Sequence, residues 1–592
     1  MIRSSLPARL ASMLLVLPLA FAAKPSDLPR DASRQQQVDA LFSALNKQGS
    51  PGCVTGVMSQ GKLLYARGYG LADVARGIAL SPDTVFDIAS MAKQFTAANI
   101  GLLILDHKLA LTDDVRGRFP ELHLNVPVTI DNLVHHTSGL RDYAELNQLR
   151  GMEATDNQAV LRLLARQTSL NFAPGSENAY SNSNYVVLAE LVQRVTGSSL
   201  ARFSRERIFA PLKMQSTRYA GSVSEDPPAL ANSYVPSGPA EFLPVTRAAQ
   251  SVGDGNLLTT VRDLARWDEN IYSHRVGGKA LAQLMRTPAT LSNGMHVPYG
   301  FGLMFGEYRG LPTEAHGGSY HGFRTELLRF PRQHFSVSVL CNVATANASG
   351  LAAQVADIYL GDALQPRPAA VSPVAVKINP AAFDPYVGEY LIDLAGERHL
   401  IFVGRQGDRF FAQAAGEQPV ELFAASETEF FSKADNARAV FERGRDGSVS
   451  RVTLHRPAGD LVAQRIPAAP AAPEVLRQFA GKYYSDELDA QLSVDILGKR
   501  LVATVGGRGR IPLIQLSDNS FLAPGGATFE FKVGPDGQLG RLDYSSARVR
   551  GLLRTARLVP LVEYDAPGTA RFQSPDRGKG TDDPARRVSH GT

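Results

Sequence analysis

The 592-residue sequence predicts an α+β domain followed by two small antiparallel β-barrels, and three patterns carry that reading. Up to about residue 365 the apolar spacing runs hairpin, helices, strands, the order of an α+β domain whose sheet is closed by both chain ends. Beyond residue 380 helical periodicity stops, and short alternating runs are broken by glycine turns. Landmarks then recur. Tyr386-Val387-Gly388-Glu389-Tyr390 matches Phe479-Ala480-Gly481-Lys482-Tyr483, Phe430 matches Phe521, and Asp446-Gly447 matches Asp536-Gly537, at offsets of 93, 91 and 90 residues. A near-constant offset marks a duplicated unit, and its length suits an up-and-down barrel.

Along the chain, Val38, Leu41, Phe42 and Leu45 share one face of a helix over 32–46, which Pro51-Gly52 ends. Residues 53–58 and 63–66 read as strands joined by a glycine turn. After a strand-like 85–88, a long amphipathic helix spans 91–105, and further helices are expected near 157–166, 185–196 and 260–271. Strands return at 300–305, 322–330 and 335–342. The expected division is a leader at 1–22, the α+β domain at 32–365, a Pro/Ala linker at 366–380, one barrel at 381–466, a second linker at 467–473, a second barrel at 474–564 and a disordered tail at 565–592.

Composition excludes several functions. Two cysteines are too few for a disulfide-dense scaffold or a four-thiolate metal site, and the histidines, His135-His136 included, lack metal-ligand spacing. The net charge of +5 is spread among acids rather than gathered into a stripe, so nucleic acid is not an expected partner. Gly68-Tyr69-Gly70 lacks the rest of a dinucleotide fingerprint, and no cofactor is implied. Arg3 and Arg9 precede an apolar run over 10–21, with Ala20 and Ala22 offering a peptidase site before Ala23. This reads as a secretory signal peptide, with a retained anchor as the alternative. The mature chain is then expected to be periplasmic or secreted, with no stable membrane span.

The chemistry starts at Ser90-Met91-Ala92-Lys93. Residues three apart share a helical face, so Lys93 can reach the Ser90 hydroxyl, and serine needs such an adjacent base to act as a nucleophile. Alone, the four letters also fit a helix cap. Tyr180-Ser181-Asn182 follows Pro174-Gly175 on a loop before a helix, where a phenol can relay protons and an amide can hold a substrate or the lysine. His316-Gly317-Gly318-Ser319 stands where the late strands begin, its glycines letting a substrate approach the backbone. Each has a bland reading as core aromatic or bulge; in this order they are specific.

With these three motifs the chain resembles the penicillin-recognising serine hydrolases, the fold of serine β-lactamases and penicillin-binding proteins, over roughly residues 35–360. His136-Thr137-Ser138-Gly139-Leu140, Gly253-Asp254-Gly255-Asn256-Leu257 and Pro298-Tyr299-Gly300-Phe301-Gly302 are further phrases of the class C branch. The resemblance implies Ser90 as nucleophile, Lys93 as base, Tyr180 as proton relay, the backbone N–H groups of Ser90 and Ser319 as oxyanion hole, and Asn182, His316, Gly317 and Gly318 as substrate-binding residues. It also makes the strands that begin at Cys53 and end at Cys341 antiparallel neighbours. A disulfide between them is one reading; two buried apolar thiols is the other, favoured by the demanding geometry of adjacent-strand bridges.

The family's usual third-motif lysine is here His316, which weakens recognition of a substrate carboxylate and with it the antibiotic-resistance reading. A histidine there is a feature of D-aminopeptidases and several esterases of this fold, and D-aminopeptidases also carry two small lipocalin-like barrels. Three activities follow as expectations: removal of D-residues from short peptides or amides, hydrolysis of short acyl esters, or acylation with little turnover in a penicillin-binding or peptidoglycan-sensing protein. In D-aminopeptidases a last-barrel loop enters the cleft. No motif places that loop here, which leaves the barrels as gates, inert covers or carbohydrate-binding modules. Oligomeric state is not legible.

Overall fold

The computed structural model describes residues 32–559 apart from short stretches, the longest being 367–372 and 467–472. The expected leader, the tail, part of the first linker, most of the second and the Asp536-Gly537 turn lie outside the described residues.

The α+β domain is built on a six-stranded antiparallel sheet. Its strands are β1 (Cys53–Ser59), β2 (Lys62–Tyr69), β3 (Met304–Tyr308), β4 (Leu311–Tyr320), β5 (Phe323–Phe330) and β6 (Phe335–Cys341), in the order β3-β4-β5-β6-β1-β2. The early hairpin thus pairs with the last strand, as the apolar runs predict. The late strands differ from expectation. They start at Met304 rather than at residue 300, and the ten-residue β4, whose run is interrupted by Gly317 and Gly318, escapes the period-2 reading. β1 and β6 are buried along their whole length because helices cover both faces. One face packs α1 (Ala32–Phe42) and the C-terminal helix Ala348–Leu360; the other faces the helical half.

Cys53 and Cys341 pair directly across β1 and β6, with Cα atoms 3.9 Å apart, and are joined by a disulfide. The reading of two free thiols is therefore corrected: the register of the two strands sets both residues opposite each other on one face.

In the helical half, α2 (Lys93–Leu105) is the central helix. Every residue from Lys93 to Leu103 is buried, so the expected amphipathic helix is buried all round. α4 (Asn182–Thr196) packs beside it, and α3 (Tyr143–Arg150) packs against α4.

The first barrel is a closed ring of eight antiparallel strands between Gly388 and Arg465. Phe383, stacked on Phe410, and Phe430 and Phe441, packed edge-to-face, fill its interior. The second repeat is a nine-stranded sheet with edge strands Ile511–Pro512 and Ile514–Ser517. These edges are neighbours in sequence, so the sheet curls round without a paired seam. The duplication extends to hydrogen bonds: Tyr390 donates to the Tyr386 carbonyl at 2.8 Å, and Tyr483 donates to the Phe479 carbonyl at 2.7 Å.

The second repeat docks on α3 and the residues before it. Arg141 and Glu487 form an ion pair at 2.9 Å with both side chains buried, and Tyr544 donates to Glu145 at 2.7 Å. The backbones of Gly151 and Gly506 pass so closely that a Cβ on Gly506 would lie 2.1 Å from the Gln148 carbonyl oxygen. Gly506→Ala is therefore expected to lower the thermal midpoint by more than Gly498→Ala. Both glycines have φ near +60°, but a Cβ at Gly498 meets open space. The difference measures the docking clash, about 1–3 kcal/mol; equal losses would show that the contact does not constrain docking.

Candidate active site

A short strand Phe86–Asp87 delivers the chain to a 3-10 turn, Ala89–Ala92, that leads into α2. Ala89 has φ +47°, a strained region for a residue with a Cβ, and its N–H donates to Asp87 Oδ1 at 2.8 Å. Burial raises the Asp87 carboxyl to about 6. This turn presents Ser90 at a cleft while Lys93 is fully buried beneath it.

The Lys93 amine is enclosed by three oxygens: Ser90 Oγ at 3.1 Å, Asn182 Oδ1 at 2.8 Å and the Asp254 carbonyl at 2.7 Å. Asn182 is the first residue of α4, not a loop residue. Its amide orientation is fixed by Asp142, whose Oδ2 accepts from both the backbone N–H and Nδ2 of Asn182 at 2.9 Å. A carboxylate can only accept, so Nδ2 must face Asp142 and Oδ1 must face Lys93. Asp142 also caps α3 through Oδ1.

Tyr180 lies with its ring centroid 4.9 Å from Lys93 Nζ, and its hydroxyl has no hydrogen-bond partner among the described residues. His136 stacks against it at 4.3 Å. Two N–H donors, from Ser181 and Asn184, reach His136 Nδ1, so that nitrogen is the acceptor, and burial holds the imidazole well below its usual range.

His316 on β4 is buried and neutral. Nδ1 meets the Gly317 carbonyl at 2.7 Å and therefore carries the proton, Tyr299 Oη lies 3.2 Å from Nε2, and burial pushes the group down to about 3. β3 pairs with β4 only as far as Ala315, so the edge from His316 to Tyr320 has no strand partner among the described residues. Ser90 and Ser319 line the same cleft. Gly317 and Gly318 both line this cleft. A Cβ on Gly318 would lie 2.2 Å from the Ile88 carbonyl oxygen, so glycine there also lets β4 close on the Ser90 turn. Gly317 would meet only the Glu326 side chain and the Thr325 carbonyl.

The cleft has two hollows meeting at Ser90. One, of ≈ 590 Å³, includes Tyr143, Asn147, Ser251 and Asp254; the other, of ≈ 850 Å³, includes Tyr180, His316 and Glu326. All the predicted catalytic and binding residues line the second hollow except Lys93, which lies below it.

A family model described as Beta-lactamase matches residues 38–360, more than half of the chain. The chain belongs to the Beta-lactamase family. Its relatives within that family include the D-aminopeptidase of Gluconobacter oxydans (strain 621H), 28% identical over 494 residues, 81% of this chain and 89% of the relative. The D-aminopeptidase of Brucella melitensis biotype 1 is 29% identical over 456 residues, 75% and 80% of the two chains. Among solved structures, the octameric penicillin-binding protein homologue from Pyrococcus abyssi shares the fold at TM-score 0.51 and 21% identity, covering 73% of this chain and 99% of that one. Family and relatives together make the protein a serine hydrolase.

Four residues here were not singled out from sequence as site residues. Asp254 sits inside a phrase quoted for the family resemblance, and Asp142 lies two residues past another, His136–Leu140. Tyr143, next to Asp142, donates to Asp254 Oδ2 at 2.9 Å. Arg548 comes from the second barrel: its guanidinium lies 5.5 Å from the Tyr180 ring centroid and lines both hollows. The segment around Arg548 thus reaches the cleft from the second barrel, held by its carbonyl to the N–H of Asp142 at 3.2 Å and to Asn171 Nδ2 at 2.9 Å.

Asp142→Asn replaces one acceptor oxygen by a donor facing N–H groups, so Asn182 loses its fixed orientation. kcat/KM is expected to fall about 10- to 100-fold with the fold retained, measured by steady-state kinetics beside circular dichroism; an unchanged kcat/KM would rule out this positioning. For His316, the folded group titrates at about 3 and the unfolded one near 6.5, so the unfolded chain binds more protons in between and stability falls as pH drops through that window. Chemical denaturation should show that His316→Asn loses about 2 kcal/mol less between pH 7 and pH 5 than the native chain does.

Proposed function

We propose that this serine hydrolase is an exported D-aminopeptidase that releases D-residues from the N-terminus of short peptides or amides through an acyl-enzyme on Ser90. The observation that carries the reading is the length of the similarity to D-aminopeptidases. An alignment of 494 residues cannot fit within 38–360, so it runs into the barrel region, which also contributes Arg548 to the cleft. The Tyr143-side hollow supports it as well. Asp254 lines that hollow, burial raises its carboxyl, and its Oδ1 has no hydrogen-bond partner among the described residues. A substrate ammonium would satisfy that oxygen and hold the carboxylate ionised.

The lysine cage supplies the base. For Lys93 to act as the base its amine keeps two N–H bonds, which Asn182 Oδ1 and the Asp254 carbonyl, able only to accept, would take. Its lone pair is then left for the Ser90 hydroxyl proton. As Ser90 Oγ attacks the substrate carbonyl carbon, that proton passes to Nζ, whose third N–H now faces Oγ. The oxyanion is received by the N–H groups of Ser90 and Ser319, donors typically worth about 3 kcal/mol each in such a hole. Tyr180 hands a proton to the departing amine as the C–N bond breaks. Water then attacks the ester, and the same groups return the proton to Ser90. Export is supported by the Cys53–Cys341 disulfide, a bond that persists in oxidising compartments.

The test is a substrate panel on the chain recovered from the periplasmic or secreted fraction, where its mass should correspond to a start at Ala23. Release of nitroaniline from D-alanine p-nitroanilide and not from the L-isomer is expected, with Ser90→Ala lowering kcat/KM by about 10³-fold or more. Turnover of p-nitrophenyl acetate without any amide turnover would favour the esterase reading, and stoichiometric labelling by penicillin without turnover the sensing one.

A further inference from the structure

The cleft holds more positive charge than its three motifs supply. His316 is neutral, yet two guanidiniums, Arg324 on β5 and Arg548, line both hollows beside Ser90. Arg324 stands directly opposite Ser319 across β4 and β5. Its Nη1 donates to the carbonyls of His321 and Phe323 at 2.9 and 2.7 Å, and among the described residues no carboxylate lies within ion-pair distance of it. Partial burial pushes it below its usual range, which a counter-anion would reverse. Arg548 is 3.8 Å from Asp142 Oδ2, but that oxygen already receives two N–H groups of Asn182. Two acids also line the hollows: Glu326, held by Ser349 and raised by burial, and Asp254 on the Tyr143 side. Neither forms an ion pair with the arginines.

We infer that Arg548, delivered by the second barrel, and Arg324 form an anion subsite that reads a carboxylate on the leaving-group side of the scissile bond, so that short peptides with a free C-terminus are preferred over their amides. A guanidinium fork offers a carboxylate paired N–H donors, and it repels an ammonium. The substrate's amine therefore falls to the Asp254 hollow, and its carboxylate to the arginines. For the acyl half of the substrate the inference rests on the D-aminopeptidase reading; the subsite itself does not.

The experiment compares D-alanyl-glycine with D-alanyl-glycinamide, and 3-acetoxybenzoate with its methyl ester, on the full mature chain, on Arg548→Gln and on Arg324→Gln. The loop is held through the Arg548 backbone carbonyl, so Arg548→Gln keeps its docking. The native chain should favour the acid of each pair by about tenfold or more in kcat/KM, and Arg548→Gln should bring that ratio close to one, mainly through KM, with Arg324→Gln narrowing it. Equal rates on acid and neutral partner, or a ratio unmoved in both variants, overturns the inference. If the D-peptides are cleaved without preference, the inference falls and the D-aminopeptidase reading stands. If they are not cleaved but the ester pair shows an Arg548-dependent preference for the acid, the subsite stands and that reading falls.

Discussion

A lysine amine buried to zero exposure is costly to leave unpaired, and the three oxygens around Lys93 Nζ are what permit it. Each comes from a different part of the chain: Ser90 from the 3-10 turn, Asn182 from the start of α4, and the Asp254 carbonyl from the 253–256 loop. None can shift without leaving the buried amine short of a hydrogen-bond partner. The cage therefore fixes the relative positions of α2, α4 and that loop, and it does so at the atoms where the proton must move. Asp142 extends the constraint outward, because the carboxylate that orients Asn182 also caps α3.

The second barrel closes the same network from outside. Arg141, the residue before Asp142, pairs with Glu487 in a buried ion pair whose carboxylate also accepts from Thr168. Such a pair adds little net stability, but breaking it leaves a buried charge uncompensated, so it specifies one docking geometry. That geometry places the Arg548 carbonyl on the Asp142 N–H and the Arg548 guanidinium over Tyr180. Among the described residues, none of the first barrel lines either hollow. Its contact with the second repeat, through Leu400, Ile466, Ile514 and Leu522, steadies the unit that reaches the cleft.

Much of this was legible in the sequence, and the pattern of what was not is physical. The hairpin and the late strands β5 and β6 follow from apolar spacing, the duplication from landmarks at a near-constant offset, and Ser90, Lys93, Tyr180 and Asn182 from short-range motifs. β4 was missed because its two glycines break the alternation, and Gly318 is required by the Ile88 carbonyl, a contact invisible in spacing. α2 was taken as amphipathic because helical periodicity cannot tell a half-buried helix from one enclosed by its neighbours. The disulfide depended on register, which strand patterns leave open by one residue or more. Asp142 and Arg548 act through neighbours 40 and more than 360 residues away in sequence, and no local pattern encodes such a meeting.

This separation bears on how substrate preference is set. The groups proposed to form and break bonds lie within 38–360 and are written in motifs, whereas the charge at the cleft mouth is split between β5 and a loop of another domain. Replacing a lysine by His316 removes a fixed charge from the third motif, since the buried imidazole stays neutral down to about pH 3. Placing an arginine on the barrel loop returns a charge from outside, on a segment that touches Asp142 through its backbone carbonyl, so the side chain can change without breaking that contact. The charge at the cleft mouth can then change while the buried hydrogen bonds of the Lys93 cage stay in place.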